Sequence, residues 1–184
     1  THSSYDIFFK NEDLNFNKTE KIVNESLQKA DDGELFLEFK QSESYVYDEK
    51  KIKNASVSVD KGFGLRSVKD ETSAYSHSSD ISESSIKNAG RIVKSVLSSS
   101  TKSKIITPIR TNKKHYSNSN PLNGFSSEDK TKLLKSIDAY ARKLDKKVKQ
   151  VSASLHGEWQ AIHILRKGGY HCGDIRPLVR LNIS

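Results

Sequence analysis

Sulfur-containing residues, prolines and long apolar runs are scarce in this 184-residue sequence, which has one cysteine, no methionine and three prolines. A single cysteine excludes an internal disulfide and any zinc site built from several thiolates, and it fits a reducing compartment. No run of about 18 apolar residues occurs, so no transmembrane helix is predicted. Because methionine is absent, Thr1 is not a natural translation start, and we expect a piece of a longer protein. Residues 1–4 show no basic and apolar leader, and we expect a cytoplasmic location.

Acidic residues are scarce in the second half of the chain. Residues 100–184 carry 17 Lys and Arg against 6 Asp and Glu, whereas residues 1–99 carry 14 against 17. A basic half can attract nucleic acid, an acidic protein or an acidic sister subunit, and a lysine-rich solvated surface is the simpler interpretation. Proteins that bind single-stranded nucleic acid need repeated stacking aromatics in a basic groove. Aromatic residues make up 8% of this chain, which disfavours nucleic acid as the partner.

The first 98 residues alternate between helical and strand-like patterns. Capping-box spacing at Asn17–Glu20 predicts a helix over residues 18–31, and apolar spacing predicts a second helix that begins near Ser82. Period-two alternation predicts five strands between these helices, over residues 35–39, 45–47, 55–59, 63–68 and 73–77. A turn at 69–71 makes the last two strands a hairpin. We therefore expect an α+β lobe over residues 1–98, an antiparallel sheet with helices packed on one face.

The remaining residues predict a linker and a second lobe. Residues 99–125 are polar and basic and contain prolines, which indicates a linker or a long surface loop, with 105–109 as one anchoring strand. Residues 126–184 predict a helix followed by strands, so that this arrangement occurs twice in the chain. The predicted elements are a helix over 126–147, strands over 151–156 and 159–165, a turn at Gly168-Gly169 and a last strand over 178–183. The sequence ends inside an apolar strand, and we expect that more protein follows.

Residues with metal-binding or nucleophilic chemistry cluster in the last third of the chain: His156, His163, His171, Cys172 and Asp174. Their spacing matches no zinc signature, and strand histidines that face solvent are the simpler interpretation. His171 and Cys172 are neighbours on a predicted strand and point to opposite faces, so they do not share a proton easily. The sequence also has no nucleophile elbow, dinucleotide fingerprint or phosphate loop. We predict no catalytic residue within it.

Two glycines and three arginines stand out in the strand-like segments. Gly62 and Gly64 lie two residues apart, which predicts a tight bend or a bulge between strands. Arg66 follows them, and an arginine on a strand can bind a carboxylate through two parallel hydrogen bonds. Arg176 and Arg180 lie four residues apart and share a face if their strand is regular. They either grip a carboxylate of another domain, subunit or peptide, or form surface ion pairs of little energy.

These features together resemble the N-terminal domain of the TldD/PmbA family, once labelled modulators of DNA gyrase and regarded as metalloproteases. The resemblance rests on the segment Asp32–Phe39, on Ser56–Val68 with its Gly-Phe-Gly-Leu-Arg motif, and on Asp174-Ile175-Arg176-Pro177-Leu178-Val179-Arg180-Leu181. The last segment is similar to the TldD branch rather than to the PmbA (TldE) branch. The matching motif residues are Gly62, Gly64, Arg66, Asp174, Arg176, Pro177 and Arg180.

The resemblance implies a role without catalytic residues in this sequence. The family's His-Glu-x-x-x-His metal motif follows the Arg-Pro-Leu-Val-Arg segment and does not occur here, so the fragment should be inactive alone and hold no cofactor. Zinc is expected in a C-terminal domain beyond it. The resemblance also implies a homodimer, or a heterodimer with a PmbA/TldE-like paralogue, whose walls enclose unfolded peptide substrates. The alternatives are a stand-alone interaction module for an acidic partner and a basic nucleic-acid-binding domain.

Overall fold

The protein, analysed as a computed structural model, combines helices with one long-stranded sheet. The structure describes residues 3–10, 14–96 and 115–184. Within them lie four α-helices, one short 3-10 helix and five strands. In chain order these are α1 (Ser4–Phe9), α2 (Phe16–Ser26), β1 (Asp32–Asp48), β2 (Lys51–Lys69), β3 (Thr72–Ser78), α3 (Glu83–Val96), the 3-10 helix (Pro121–Gly124), α4 (Ser127–Leu144), β4 (Ser152–Arg166) and β5 (His171–Ile183).

The strands form a five-stranded antiparallel sheet in the order β3-β2-β1-β4-β5. This confirms the predicted α+β class and the helix-then-strands order that occurs twice. The hairpin between β2 and β3 is also confirmed, with Lys69 opposite Thr72 and Asp70 in the turn at φ 51°. Within the described part of the chain, no helix is long and apolar enough to cross a membrane.

The strands are longer and fewer than predicted. The four segments expected between residues 35 and 68 are two strands, β1 of 17 residues and β2 of 19 residues. The segments expected at 151–156 and 159–165 are likewise one strand, β4. Polar residues do not interrupt β1 because a central strand has its backbone groups bonded on both sides, whatever its side chains are. The turn between β1 and β2 places Glu49 and Lys50 at φ 49° and 63°, although neither is a glycine or an asparagine.

Two helices show how local capping sets a boundary. Ser126 and Asp129 form a reciprocal capping box at the start of α4, where the helix over residues 126–147 was predicted to begin. Helix α2 begins earlier than predicted because Asn15, rather than Asn17, accepts the capping hydrogen bond from the Lys18 amide. It also ends earlier than predicted. The Asp31 amide donates to the Val68 carbonyl of β2, so residue 31 is bonded to the sheet and not to the helix.

The described residues form two compact units, each built from three stretches of chain. One unit is drawn from Thr1–Phe39, Asp60–His115 and Ala161–Ile175; the other is drawn from Lys40–Val59, Tyr116–Gln160 and Arg176–Ser184. Below they are called the first and the second unit. They differ from the contiguous lobes of the prediction because β1, β2, β4 and β5 each contribute residues to both. The predicted strand at 105–109 and most of the predicted linker lie outside the described residues.

Each unit has its own apolar core. In the first unit, Leu35, Leu65, Ile86 and Val93 are fully buried, and α2 packs against α3. In the second unit, α4 places Leu134 and Ile137 on the two strands β1 and β4. The partners of these two side chains are Tyr45, Tyr47, Ala153 and Leu155.

Candidate functional site

The motif residues singled out in the sequence lie on two strands that are not neighbours. Gly62, Gly64 and Arg66 lie on β2, and the segment from Asp174 to Arg180 lies on β5. In the sheet, β1 and β4 separate these strands. The two motifs therefore do not form one catalytic centre, and each has to be interpreted in its own surroundings.

The two glycines allow close approach between β2 and β3, and the predicted bend or bulge is wrong. β2 runs without interruption through both positions. A Cβ atom at Gly64 would collide with the ring of Tyr75, and one at Gly62 would lie 2.8 Å from the Ser78 carbonyl oxygen. Tyr75 and Ser78 are both on β3, so the missing side chains let this hairpin pack closely.

Arg66 is held within the first unit by a carboxylate of the neighbouring strand. Its Nε and Nη2 donate to the two carboxylate oxygens of Glu34 at 2.8 and 3.1 Å, and these bonds raise the pKa of Arg66. Two residues before Glu34 lies Asp32, whose two carboxylate oxygens accept hydrogen bonds from Arg166 Nη2 at 2.5 and 2.6 Å. Burial opposes ionisation of Asp32, but the hydrogen bonds from Arg166 and the Gly33 amide hold its pKa below the ordinary value. These pairs join β1 to both of its neighbours.

The arginines of β5 lie on the exposed part of that strand. Arg176 and Arg180 are both exposed, and Arg180 Nε donates to the side-chain oxygen of Asn182 at 3.0 Å. Pro177 lies between them and has no amide hydrogen to donate, which suits the edge position of β5. That Arg176 and Arg180 grip a carboxylate from outside stays a prediction.

The prediction that the strand histidines face solvent is wrong for His163. This side chain is 3% exposed, because it shares the inward face of β4 with Ala161 and Leu165. Its Nδ1 lies 3.1 Å from Ser4 Oγ, and its ring stacks on His171 with centroids 5.4 Å apart. Burial first, and the charge of His171 second, lower the pKa of His163 to about 4. The alternation of residues 161, 163 and 165 was the sequence signal for this burial.

His163 and His171, which lie together, do not form a site that fits zinc. Among the described residues, no group of three or more His, Cys, Asp or Glu side chains is placed to hold a metal ion. His163 and His171 lie ring on ring, and His163 is enclosed by the edges of aromatic rings, with Phe9 at 5.2 Å and Tyr5 at 6.2 Å. Zinc requires nitrogen lone pairs that converge on one point. The lone pairs of two stacked rings lie in nearly parallel planes and do not converge. The arrangement supports packing between α1 and β4.

A buried ion pair in the second unit was not found by sequence reasoning. Lys130 Nζ lies 2.7 and 2.9 Å from the two carboxylate oxygens of Glu43 and also donates to the Leu122 carbonyl at 2.8 Å. The two side chains are 7% and 9% exposed. Lys130 falls at helical spacing with Leu134, Ile137 and Ala141, and Glu43 alternates with Tyr45. The sequence therefore shows that both residues share a face with core residues. Lysine and glutamate are nevertheless typical of protein surfaces, so their burial was not predicted.

The second unit also exposes apolar side chains on β2. Val57 is 71% exposed and Val59 is 57% exposed, and Ala55 precedes them on the same face. The ladder with β3 covers Phe63–Lys69 of β2, well beyond this segment. A row of exposed apolar residues on a strand is a surface suited to pairing or burial against another chain.

Two family models match the chain and together cover most of it. Residues 33–99 match the model described as PmbA/TldA metallopeptidase domain 1, and residues 120–184 match the one described as the PmbA/TldA metallopeptidase central domain.

The chain belongs to the TldD/PmbA family.

Relatives from two bacteria carry the TldD name. The metalloprotease TldD homologue of Buchnera aphidicola from Schizaphis graminum is 34% identical over 155 residues, 84% of this chain and 32% of that protein. The metalloprotease TldD homologue of Haemophilus influenzae is 32% identical over 166 residues, 86% of this chain and 34% of that protein. This TldD/PmbA chain thus spans about a third of the length of the curated relatives it matches.

Solved structures share the fold. TldE from Thermococcus kodakarensis superposes with a TM-score of 0.66 at 14% identity, over 91% of this chain and 43% of that one. A Bacteroides thetaiotaomicron protein assigned provisionally as a modulator of DNA gyrase gives 0.68 at 13% identity, over 94% of this chain and 41% of that one. At such identities the likeness shows the TldD/PmbA fold and not a shared activity.

Proposed function

We propose that this TldD/PmbA chain is the non-catalytic N-terminal region of a zinc metallopeptidase that acts on unfolded peptides. In this proposal the region dimerises and helps to enclose the substrate. Its relatives of threefold length are named metalloproteases, and His163 and His171 are placed for packing rather than for zinc. The zinc and the catalytic residues would belong to the part of the intact protein that this chain does not cover.

The observation that carries the proposal is the exposed row of Ala55, Val57 and Val59 on β2. Burying two valines that are more than half exposed would contribute on the order of 1–2 kcal/mol each to association. A strand of another subunit, either a second copy or a PmbA/TldE-like paralogue, can add to β2, and its apolar side chains on the same face would then pack against the valines of this row. An extended peptide substrate has the same backbone chemistry and can be held in the same way.

Replacing Val57 with lysine is expected to weaken self-association, or association with a PmbA/TldE-like partner, at least tenfold. The lysine places a charge where the partner would bury an apolar side chain, a cost of about 1.4 kcal/mol or more. Sedimentation equilibrium of the chain, alone and mixed with the partner, measures the effect. Tyr75→Lys on β3, where Tyr75 is 63% exposed against 71% for Val57, is the matched control. Monomers under both conditions, or equal weakening by both variants, would contradict this role for β2.

The 184-residue chain alone is expected to bind no stoichiometric zinc and to cleave no unfolded casein. The reason is that its described histidines, acids and cysteine do not converge on a common point. Elemental analysis after dialysis against zinc, together with release of fluorescence from labelled casein, tests both parts. One equivalent of tightly held zinc would overturn the assignment of this chain as the non-catalytic region.

A further inference from the structure

A groove in the second unit lies between α4 and the strands β4 and β5. Its volume is about 990 Å³, and its floor includes Leu155 and Gly157 of β4 and Val179 of β5. One face of α4, with Leu133 and Ser136, forms a wall, and Phe125 also lines the groove. The buried Lys130–Glu43 pair and Pro121 complete this part of the lining. The groove is mainly apolar, although its lining is not without polar groups.

The groove continues into exposed apolar surface on both sides. On α4, Tyr140 and Leu144 follow Leu133 at helical spacing, and all three are exposed. On β5, Leu181 and Ile183 share a face with Val179 by alternation, and these three are also exposed. Contiguous apolar surface of this kind marks an interaction site on a folded protein.

The dimensions of helices and sheets determine which secondary-structure element would fill this groove. A helix with its side chains is about 10 Å wide, and neighbouring strands lie about 4.8 Å apart, so one helix covers about two strands. Helix α4 packs on β1 and β4, and on the same face of β5 Val179, Leu181 and Ile183 are exposed. A second helix laid beside α4 at the usual separation of about 8–10 Å would lie over β5 and bury Leu133 and Val179 together.

Charge determines the chemistry of that helix. Lys132 lines the groove and pairs with Glu128 on the exposed side of α4. Lys143 lies 11 residues further along the same line of the helix, three turns on, and extends this basic rim beyond the groove. Asp129 also lines it and is ionised, because the hydrogen bonds from Ser126 hold its pKa below the ordinary value, but its carboxylate is already bonded to the N-terminus of α4. Residues 116–160 carry eight Lys and Arg against five Asp and Glu. A second copy of α4 would bring lysines against lysines, so a carboxylate-bearing helix is favoured over self-association.

We propose that this groove binds an amphipathic helix of a partner protein, with its apolar face on Leu133, Leu155 and Val179 and with acidic residues towards Lys132 and Lys143. The proposal does not depend on the peptidase assignment or on dimerisation through β2. It concerns a different surface of the second unit, so each can fail while the other stands.

The test is binding of a fluorescent peptide to the 184-residue chain, followed by anisotropy. The probe is a designed helix of about 18 residues with leucines at i, i+3, i+4 and i+7 spacing and glutamates elsewhere; a second peptide has lysine in place of glutamate. We expect saturable binding of the acidic peptide and at least tenfold weaker binding of the basic one. Leu133→Asp should abolish binding of the acidic peptide, and Lys132→Gln should weaken it about threefold at low salt.

Matched variants separate the groove from general surface effects. Ile92 on α3 is 47% exposed and Leu133 is 46% exposed, so Ile92→Asp makes the same change on a helix of the first unit. Lys21→Gln on α2 likewise matches Lys132→Gln, because both lysines pair with a glutamate four residues away. Neither control should change binding, and circular dichroism should show all four variants folded. Equal affinity for the two peptides, equal loss in the controls, binding of a DNA duplex instead, or no saturation below about 1 mM peptide would each overturn the proposal.

Discussion

Replacing Lys130 with methionine is expected to lower the free energy of unfolding by roughly 3–5 kcal/mol, a large part of the total for a domain of this size. The substitution leaves the carboxylate of Glu43 buried, and it removes the cation that lies 2.7 Å away. It also removes the donor to the Leu122 carbonyl. Both changes leave a buried polar group without its partner, and such a group loses its hydration without gaining a hydrogen bond. Urea unfolding followed by circular dichroism at neutral pH measures the change.

A double substitution separates the ion pair from the packing around it. Glu43→Leu combined with Lys130→Met removes both charges, and we expect it to recover most of the stability lost in the single variant. Lys132→Met is the control, since its ion pair with Glu128 is exposed on both sides, and its unfolding midpoint should stay nearly unchanged. A single Lys130→Met variant that unfolds within about 1 kcal/mol of the parent would show that the pair is not buried as described.

Acidification from pH 7.5 to 5.0 is expected to cost about 2 kcal/mol of stability through His163 alone. Burial lowers the pKa of His163 to about 4 in the folded protein, against 6.5 for an ordinary histidine. Because the unfolded chain therefore binds the proton more readily, the stabilising contribution is complete above about pH 6.5 and is lost as the pH falls towards 4. Asp32 and Asp129, whose pKa values are also lowered, lose their contributions mainly at lower pH.

Equilibrium unfolding at several pH values between 5.0 and 7.5 tests this prediction. His163→Phe, which cannot take a proton, should flatten the pH dependence even if it changes stability at pH 7.5. His77→Gln is the control, because His77 is exposed on β3 and should leave the pH dependence intact. If the pH dependence persists in His163→Phe, other groups cause it. The conclusion that His163 is buried in its neutral form would then be wrong.

Local chemistry in the sequence determined much of the fold. The predicted start of a helix at residue 126 agrees with the structure, because Ser126 and Asp129, which cap it, lie within one helical turn. The turn around Asp70 marked the β2–β3 hairpin, and Gly168-Gly169, with φ of 89° and 86°, marked the turn into β5. Alternation and helical spacing together gave the α+β class. The motifs around Gly64 and Arg176 indicated the family, which the family models then confirmed.

Distant contacts decided what the sequence could not. Whether residues 40–44 belong to a strand depends on the neighbours that bond to β1 on both sides, and those neighbours come from other parts of the chain. In the same way Lys130 is buried because Glu43, 87 residues earlier, meets it, and His163 is buried because α1 packs on it from the far end of the chain. A residue's own type and its near neighbours in sequence determine its backbone preference and the face of the helix or strand on which its side chain lies. Its solvation depends on which remote segments fold against it, and that is a property of the tertiary structure.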